Sequence, residues 1–190
     1  MRFQKITGGI IALLVLTLLI LSYQYYVGVK ENDQQWKTFV NHFYFAIDNS
    51  IFAIDHLLEN EYTSKNLEGK VRKLEKELLR ADAIISHGNS FMNNDLYRSN
   101  FFLEATYFLY GINMTGTITV ELPPMGENGV LEERDITLLR TIRGYLESAK
   151  QGLYSEQTKQ ENPNLTIDEV NKIIWTHLNK DSYQIYKDAF

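Results

Sequence analysis

The chain has 190 residues, no cysteine, 44% hydrophobic and 23% charged residues, and a formal net charge of −5. These values exclude a collagen, a disordered tail and a disulfide-stapled miniprotein, and the acidic balance argues against a nucleic-acid binder. The lack of cysteine also excludes thiol catalysis and thiolate metal sites. A membrane-anchored chain with one folded domain is the class that remains.

The first predicted element is a transmembrane helix over residues 6–27, a stretch without any charged side chain. At about 1.5 Å per residue this stretch is about 33 Å long, which is enough for a hydrocarbon core of about 30 Å. Tyr23, Tyr25 and Tyr26 follow the apolar run, where an interfacial aromatic belt is expected.

Basic residues near the N-terminus predict the orientation of this helix. Arg2 and Lys5 precede the span, whereas the charges that follow it are mixed. The positive-inside rule therefore predicts a cytoplasmic tail over residues 1–5 and everything after Val27 outside the cell membrane, in a single-pass topology. The usage of Lys, Asn, Ile and Tyr is typical of low-GC bacteria, so we expect a bacterial cell envelope.

Two other kinds of N-terminal segment were weighed against the anchor. A cleaved secretory signal needs small residues at the end of its apolar run, and bulky tyrosines stand there instead. A pilin leader places glycine before an aromatic residue and an acid early in the helix, and Gly8-Gly9-Ile10 has neither. An uncleaved anchor is the better interpretation.

The remaining chain predicts an all-α fold, an antiparallel up-and-down helical bundle over residues 28–160 with a helical appendage over 161–190. Apolar residues at steps of three and four indicate two core-facing helices, the first of which ends near Glu61. The first seam comprises Trp36, Val40, Phe43, Ile47, Ser50, Ile54 and Leu57, with Phe39, Ile51 and Leu58 beside it. The second comprises Leu67, Val71, Leu74, Leu78, Ala81 and Ile85.

A third helix is predicted over Phe101–Met114, apolar or aromatic on nearly every side, with Glu104 as its only charge. Its predicted inward stripe comprises Phe101, Ala105, Phe108 and Ile112, which leaves Tyr107 and Tyr110 on other faces. It could be the central buried helix, it could present Tyr107 and Tyr110 to a partner or small ligand, or it could be a weak second membrane span reaching Val120. A buried Glu104 would have to be paired or protonated, so this carboxylate is the side chain of greatest chemical interest.

An alternating segment, Thr117–Leu122, follows the third helix and places Ile118, Val120 and Leu122 on one face. This pattern predicts a strand, and no second strand is evident in the sequence to pair with it. It would then lie over the bundle as an extended loop or pair with another chain, because an open strand edge is a template for strand addition.

The C-terminal part predicts a fourth helix from about Leu131, ended by Asn162-Pro163-Asn164. Its core positions are Leu139, Ile142, Leu146, Ala149 and Leu153. Thr166 and Glu169 form a capping-box pattern that starts the next helix, and Asp181 or Ser182 can cap a last short one.

No catalytic, cofactor or metal site is predicted. The four histidines form no ligand pair, and nucleophile elbows, phosphate loops and dinucleotide fingerprints are absent from the sequence. Asp48, Asp55 and Glu59 share one face of the first helix, which is typical of a solvated face.

We therefore expect a non-enzymatic interaction or regulatory module that docks onto another membrane or envelope protein, or onto its own copy as a homodimer, and contacts lipid through its anchor. The alternative is a small-ligand-sensing bundle that acts through a partner membrane protein. The candidate contact residues are Glu104, Tyr107, Tyr110, Ile118, Val120 and Leu122.

Overall fold

The computed structural model describes residues 2–59, 64–92, 94–114 and 120–190, with side chains over 13–59, 66–92, 94–113 and 121–190. Helix accounts for 76% of the structure, in six α-helices with a few short strands, which confirms the all-α class. The chain divides into two units, Met1–Thr38 and Phe39–Phe190.

The elements follow one another from a very long first helix to a very short last one. The helices are α1 (Arg2–Glu59), α2 (Ser64–His87), α3 (Phe101–Tyr110), α4 (Glu133–Leu153), α5 (Ile167–Leu178) and α6 (Ser182–Ala189), and a π-helical segment, Gly88–Met92, follows α2. Two small antiparallel hairpins pair β1 (Ile112–Met114) with β2 (Val120–Leu122) and β3 (Tyr154–Ser155) with β4 (Gln160–Glu161).

The Met1–Thr38 unit consists of the first part of α1. From Leu13 to Val29 its large apolar and aromatic side chains are exposed by 51–76% of their surface, except Val27, which is half-buried. By length and composition, α1 is the one helix among the described residues that could cross a membrane. Closer to Thr38 the surface becomes charged, and Asp33 and Lys37 form an ion pair at 2.7 Å.

The Phe39–Phe190 unit contains the hydrophobic core, and its helical registers agree with the sequence pattern. All six seam positions predicted for α2 and all five for α4 are buried. In α1 the seam positions from Val40 to Leu57 are buried together with Phe39 and Ile51, whereas Leu58 is only half-buried. Periodicity determines these positions because a 3.6-residue turn brings every third or fourth side chain to one face.

Contacts between helices connect this core. α3 packs against α2 and α6, and α4 packs against α5 and α6. Edge-on ring contacts link Phe43 of α1 to Phe102 of α3, and Phe101 of α3 to Tyr145 of α4. From α1 to α4, Asp48 pairs with Lys150 at 2.5 Å and Asp55 with Arg143 at 2.5 Å.

The third helix is shorter than the sequence predicts. It ends at Tyr110, because Gly111 takes φ = 88° and the chain then turns into β1. A Cβ atom on Gly111 would lie 2.8 Å from the carbonyl oxygen of Leu122, so only glycine allows the two strands to approach this closely. Residues 112–114, predicted as helix, are therefore strand.

The expectation that the Thr117–Leu122 strand has no partner in this chain is wrong. β2 pairs with β1 in the register Ile112–Leu122, Asn113–Glu121 and Met114–Val120. Thr117 to Thr119, the other half of the predicted strand, lie outside the described residues.

Near the C-terminus the helix starts agree with the sequence and one helix end does not. α4 ends at Leu153 rather than at Asn162-Pro163-Asn164, because the β3–β4 hairpin intervenes. The capping box of α5 is confirmed, with the Thr166 hydroxyl accepting from the Glu169 amide and the Glu169 carboxylate accepting from the Thr166 amide. Asp181 caps α6 by accepting from the Gln184 amide.

Candidate functional sites

The outer face of α3 carries a row of exposed apolar and aromatic side chains. Leu103, Tyr107 and Tyr110 are exposed by 37%, 43% and 55% and lie at positions i, i+4 and i+7, on the face opposite Phe101 and Phe108. We call these three residues the α3 row. Of the predicted inward stripe, Phe101, Ala105 and Phe108 are buried, whereas Ile112 lies in β1 and is half-buried.

Glu104 has a structural contact that identifies its partner. Its Oε2 atom accepts a hydrogen bond from the Ser182 amide at 3.2 Å and another from the Ser182 hydroxyl. Ser182 is the first residue of α6, where a helix leaves its amides unsatisfied and favours a negative charge. The carboxylate is therefore paired, as a partly buried acid must be, and it ties α6 to α3.

Tyr110 connects the α3 row to α2. Its hydroxyl is hydrogen-bonded to the Glu75 carboxylate, and this bond is the main reason why the pKa of Tyr110 is raised. Exposed Leu79 lies one turn further along α2. The ring of Tyr110 also lines an open cavity of about 530 Å³ between α2, the end of α3 and the loop that follows β2.

The loop beside this cavity is held by a buried acid that the sequence analysis did not single out. Asp135 is 1% exposed; its Oδ2 accepts from the amides of Gly126 and Glu132, and its Oδ1 pairs with Arg134 at 2.8 Å. All these contacts fix the loop to the start of α4. Asp135 is thus a structural residue, and its only sequence signal was its place in the first turn of a helix.

The β1–β2 hairpin contains the remaining predicted contact residues. Val120 and Leu122 lie in β2, and the Leu122 side chain is half-buried. Ile118 and the side chain of Val120 lie outside what the structure describes. The turn at Gly111 connects α3, which carries the row, to the β1–β2 hairpin.

Two of the three acids on the predicted solvated face of α1 also make contacts between helices, whereas the third, Glu59, is exposed. Asp48 and Asp55 pair with Lys150 and Arg143 of α4, and Asn41, one heptad before Asp48, donates to the Glu161 carboxylate at 2.9 Å. A sequence shows the sign and spacing of charges but not which helix faces them, so these partners could not be predicted.

A second cavity, wide open to solvent and of about 560 Å³, lies where the segment before α3 meets α5. It is lined by Asn89, Asn94, Asp95, Leu96, Tyr97, Arg98, Asn171, Lys172 and Trp175. Trp175 is the residue from which the sequence could have indicated this cavity, because the buried seam of α5 leaves position 175 outside the core. That seam comprises Val170, Ile174 and Leu178.

Comparisons with known proteins identify no relative of this chain. No protein-family model, no curated protein and no solved structure matches the chain. Within the described residues, no group of three or more His, Asp or Glu side chains is arranged to hold a metal ion.

Proposed function

We propose that this protein is a membrane-anchored, extracytoplasmic interaction module that docks onto another envelope protein through the α3 row and has no enzymatic role. The observation that carries the proposal is the contrast between two kinds of exposed apolar surface. One is the uncharged run of α1, and the other is the α3 row, three neighbouring exposed side chains on one face of a helix in the folded domain.

The anchor part of the proposal is supported by the exposure of α1. From Leu13 to Leu21 eight large apolar side chains keep at least half of their surface exposed. Apolar patches of this extent are rare on soluble monomers and are typical of protein or membrane contacts. Arg2 and Lys5 support the orientation in which the N-terminus is cytoplasmic.

The bundle part of the proposal is an antiparallel arrangement of the helices. The ion pairs between α1 and α4 run in opposite directions along the chain, since Asp48 meets Lys150 and Asp55, seven residues later, meets Arg143, seven residues earlier. An up-and-down bundle with a short α1–α2 connection predicts this reversal.

The docking part of the proposal is supported by residue type. Tyr107 and Tyr110 combine a rigid apolar ring with a polar hydroxyl, and tyrosine is enriched among the residues that dominate the binding energy of protein interfaces. Leu103 adds an aliphatic contact on the same face, and Leu79 of α2 is exposed as well. The proposed occupant is another membrane protein, because an anchor confines the domain to the membrane surface and raises the effective concentration of such a partner.

Site-specific photo-crosslinking in cells tests the docking surface. A photoreactive phenylalanine analogue at Tyr107 should give one discrete adduct in the membrane fraction, and the added substitution Leu103→Asp should remove it. Tyr183 of α6 is a matched control, since it is also a tyrosine and is 41% exposed against 43% for Tyr107. Equal adducts from both positions, or an adduct that survives Leu103→Asp, would contradict docking through the α3 row.

A reporter fusion tests the orientation separately. An enzyme that is active only in the cytoplasm, fused after Phe190, should be silent in cells that make the intact chain. Cytoplasmic activity of that fusion, or a mature chain that begins near Val27, would contradict the proposed topology.

The second candidate function is a small-ligand sensor that acts through a partner membrane protein. The cavity beside Trp175 favours it, because its volume lies within the range of small-molecule sites and polar side chains converge on it.

A further inference from the structure

The cavity beside Trp175 has walls that side-chain amides hold in place. Asn171 of α5 donates to the carbonyl of Asp95 at 2.8 Å and accepts from the amide of Tyr97 at 2.7 Å. Asn89 donates to the carbonyl of Leu96 at 2.6 Å. A segment without regular secondary structure is thereby fixed against α5, so a ligand would not have to order it on binding.

Both aromatic rings of the cavity are fixed as well. The Tyr97 hydroxyl is hydrogen-bonded to the Asn179 side chain at 2.7 Å, and the Tyr97 and Trp175 rings meet edge to face with centroids 5.1 Å apart. An edge-to-face contact covers at most one face of the indole. Trp175 nevertheless keeps 60% of its surface exposed, so a flat apolar ring face remains open at the cavity.

The charged residues at this cavity favour an anion. Arg98 and Lys172 both line it and are exposed, and neither forms an ion pair within 4.0 Å among the described residues. Asp95 is the one acid of the lining. Burial raises the pKa of Asp82 of α2, and Arg98, which lies near it, offsets part of that rise. The lining itself therefore holds two cations and one acid, and Asp82 is a second acid near Arg98.

Aromatic and charged groups together specify the ligand chemistry. A pyranose ring presents a face of C–H groups that stacks on an indole, and its hydroxyls bond to polar side chains. A carboxylate or phosphate on the sugar would pair with guanidinium and ammonium groups. A quaternary ammonium ligand, which also stacks on aromatic rings, is disfavoured by the two cations.

From this arrangement we infer that the cavity between the 94–98 segment and α5 binds an anionic saccharide, stacked on Trp175 and paired with Arg98 and Lys172. This inference rests on the second candidate function, to which it gives a ligand class. The α3 row is a different surface, so docking through Tyr107 can fail while saccharide binding holds, and the reverse.

Calorimetric titration of the detergent-solubilised full-length chain tests the inference with four probes. Trigalacturonate carries carboxylates on pyranose rings, glucose 6-phosphate carries a phosphate, maltotriose is neutral, and triglutamate has carboxylates without a sugar ring. At least one anionic sugar should bind, with a dissociation constant on the order of 1 mM or below. Maltotriose and triglutamate should bind at least about tenfold more weakly, and added salt should weaken the binding of the anionic sugar.

Substitutions at the cavity provide the second part of the experiment. Trp175→Ala and Lys172→Glu should each lower the affinity for the anionic sugar at least about tenfold, because a stacking face or a charge-assisted bond is lost. Tyr183→Ala and Lys76→Glu change an exposed aromatic residue and an exposed cation outside the cavity, and both should leave the affinity unchanged. The thermal midpoint of each variant is measured alongside, since all four residues lie on the surface.

Four outcomes would overturn the inference. Equal binding of maltotriose would show that the cations have no part in it, and equal binding of triglutamate would show that the sugar ring has none. Loss of affinity in the two control variants would indicate non-specific attraction, and failure of both anionic sugars to bind would exclude the ligand class. Trigalacturonate against glucose 6-phosphate decides between a carboxylate and a phosphate.

Discussion

Two parts of one helix, α1, differ in what they do with apolar side chains. From Leu13 to Leu21 the leucines are exposed by 55–66% of their surface, whereas Ile47, Ile54 and Leu57 are at most 1% exposed. Both parts are helical, so helix formation does not explain the difference. The first part is apolar all round, whereas the second places most of its apolar residues in a stripe with polar residues between, and Phe52 is an exposed exception.

The apolar pattern of a helix, more than its hydrophobicity alone, therefore indicates what the helix packs against. A stripe fits a protein core that covers one face. An uninterrupted apolar surface fits a solvent that is apolar in every direction, such as lipid, where the backbone groups of a helix are satisfied internally. Four experiments test this difference between the two parts of α1.

The largest effect is expected for charges in the first part of α1. The double substitution Leu16→Arg with Leu19→Arg should cost about 5–7 kcal/mol of membrane insertion, from about 2.5–3.5 kcal/mol for each arginine near a helix centre. Membrane fractionation should then find the chain released from the bilayer, while the thermal midpoint of the Phe39–Phe190 unit stays constant. A variant that remains in the membrane fraction would contradict the anchor.

The same substitution should lower the free energy of unfolding much more in the second part of α1 than in the first. Leu57→Ala removes a side chain that is 1% exposed and should lower the free energy of unfolding by about 2–5 kcal/mol. Leu21→Ala, at a position 55% exposed, should change it by less than about 0.5 kcal/mol. Chemical denaturation in detergent measures both, and similar values for the two variants would show that the contrast in burial is wrong.

A smaller effect is expected for the acidic residues of α1. Asp48 and Lys150 keep 39% and 31% of their side chains exposed, so their coupling energy should be only about 0.2–1 kcal/mol. A double-mutant cycle with Asp48→Asn and Lys150→Met measures it, and salt should reduce it. The reference pair in the first part of α1 is Asp33 with Lys37, which should contribute nothing to the unfolding of the Phe39–Phe190 unit.

The smallest effect is a slope of stability with pH on the alkaline side. Burial raises the pKa of Tyr44, which Lys150 partly offsets, and burial with the hydrogen bond to Asp188 raises the pKa of Tyr145. For Lys150 burial acts to lower the pKa, but the hydrogen bond to Asp48 together with the nearby negative charges outweighs it, and the net shift is upward.

All three groups keep their protons longer in the folded state than in the unfolded one. Their stabilising contribution is therefore complete below the unfolded pKa values of about 10 and is lost as the pH rises through the folded ones. Tyr145→Phe should flatten the fall in the free energy of unfolding above about pH 10. Ser148→Ala, a substitution on the same helix without a titrating group, is the control, and an equal slope in Tyr145→Phe and the parent would contradict this assignment.

The candidate sites could be predicted only in part, and the reason differs from residue to residue. Tyr107 was placed outside the α3 core stripe correctly, because one helix turn determines which neighbours share its face. Glu104 was recognised as a carboxylate in need of a partner, but Ser182 lies 78 residues further along the chain, and no local pattern connects the two. The Trp175 cavity was missed because its two walls come from segments more than 70 residues apart.

By itself, the sequence determined the features that depend on neighbours along the chain: the uncharged run of α1, the core registers of the helices, and the Thr166–Glu169 capping box. Each follows from helix geometry or from an amide that a nearby side chain satisfies. Only the tertiary structure decided where α3 ends, that β2 pairs with β1, which basic residues meet Asp48 and Asp55, and that a cavity forms beside Trp175. These features depend on the close approach of distant segments, such as Gly111 against the Leu122 carbonyl, and the free energy that selects them arises from packing and pairing that no single segment contains.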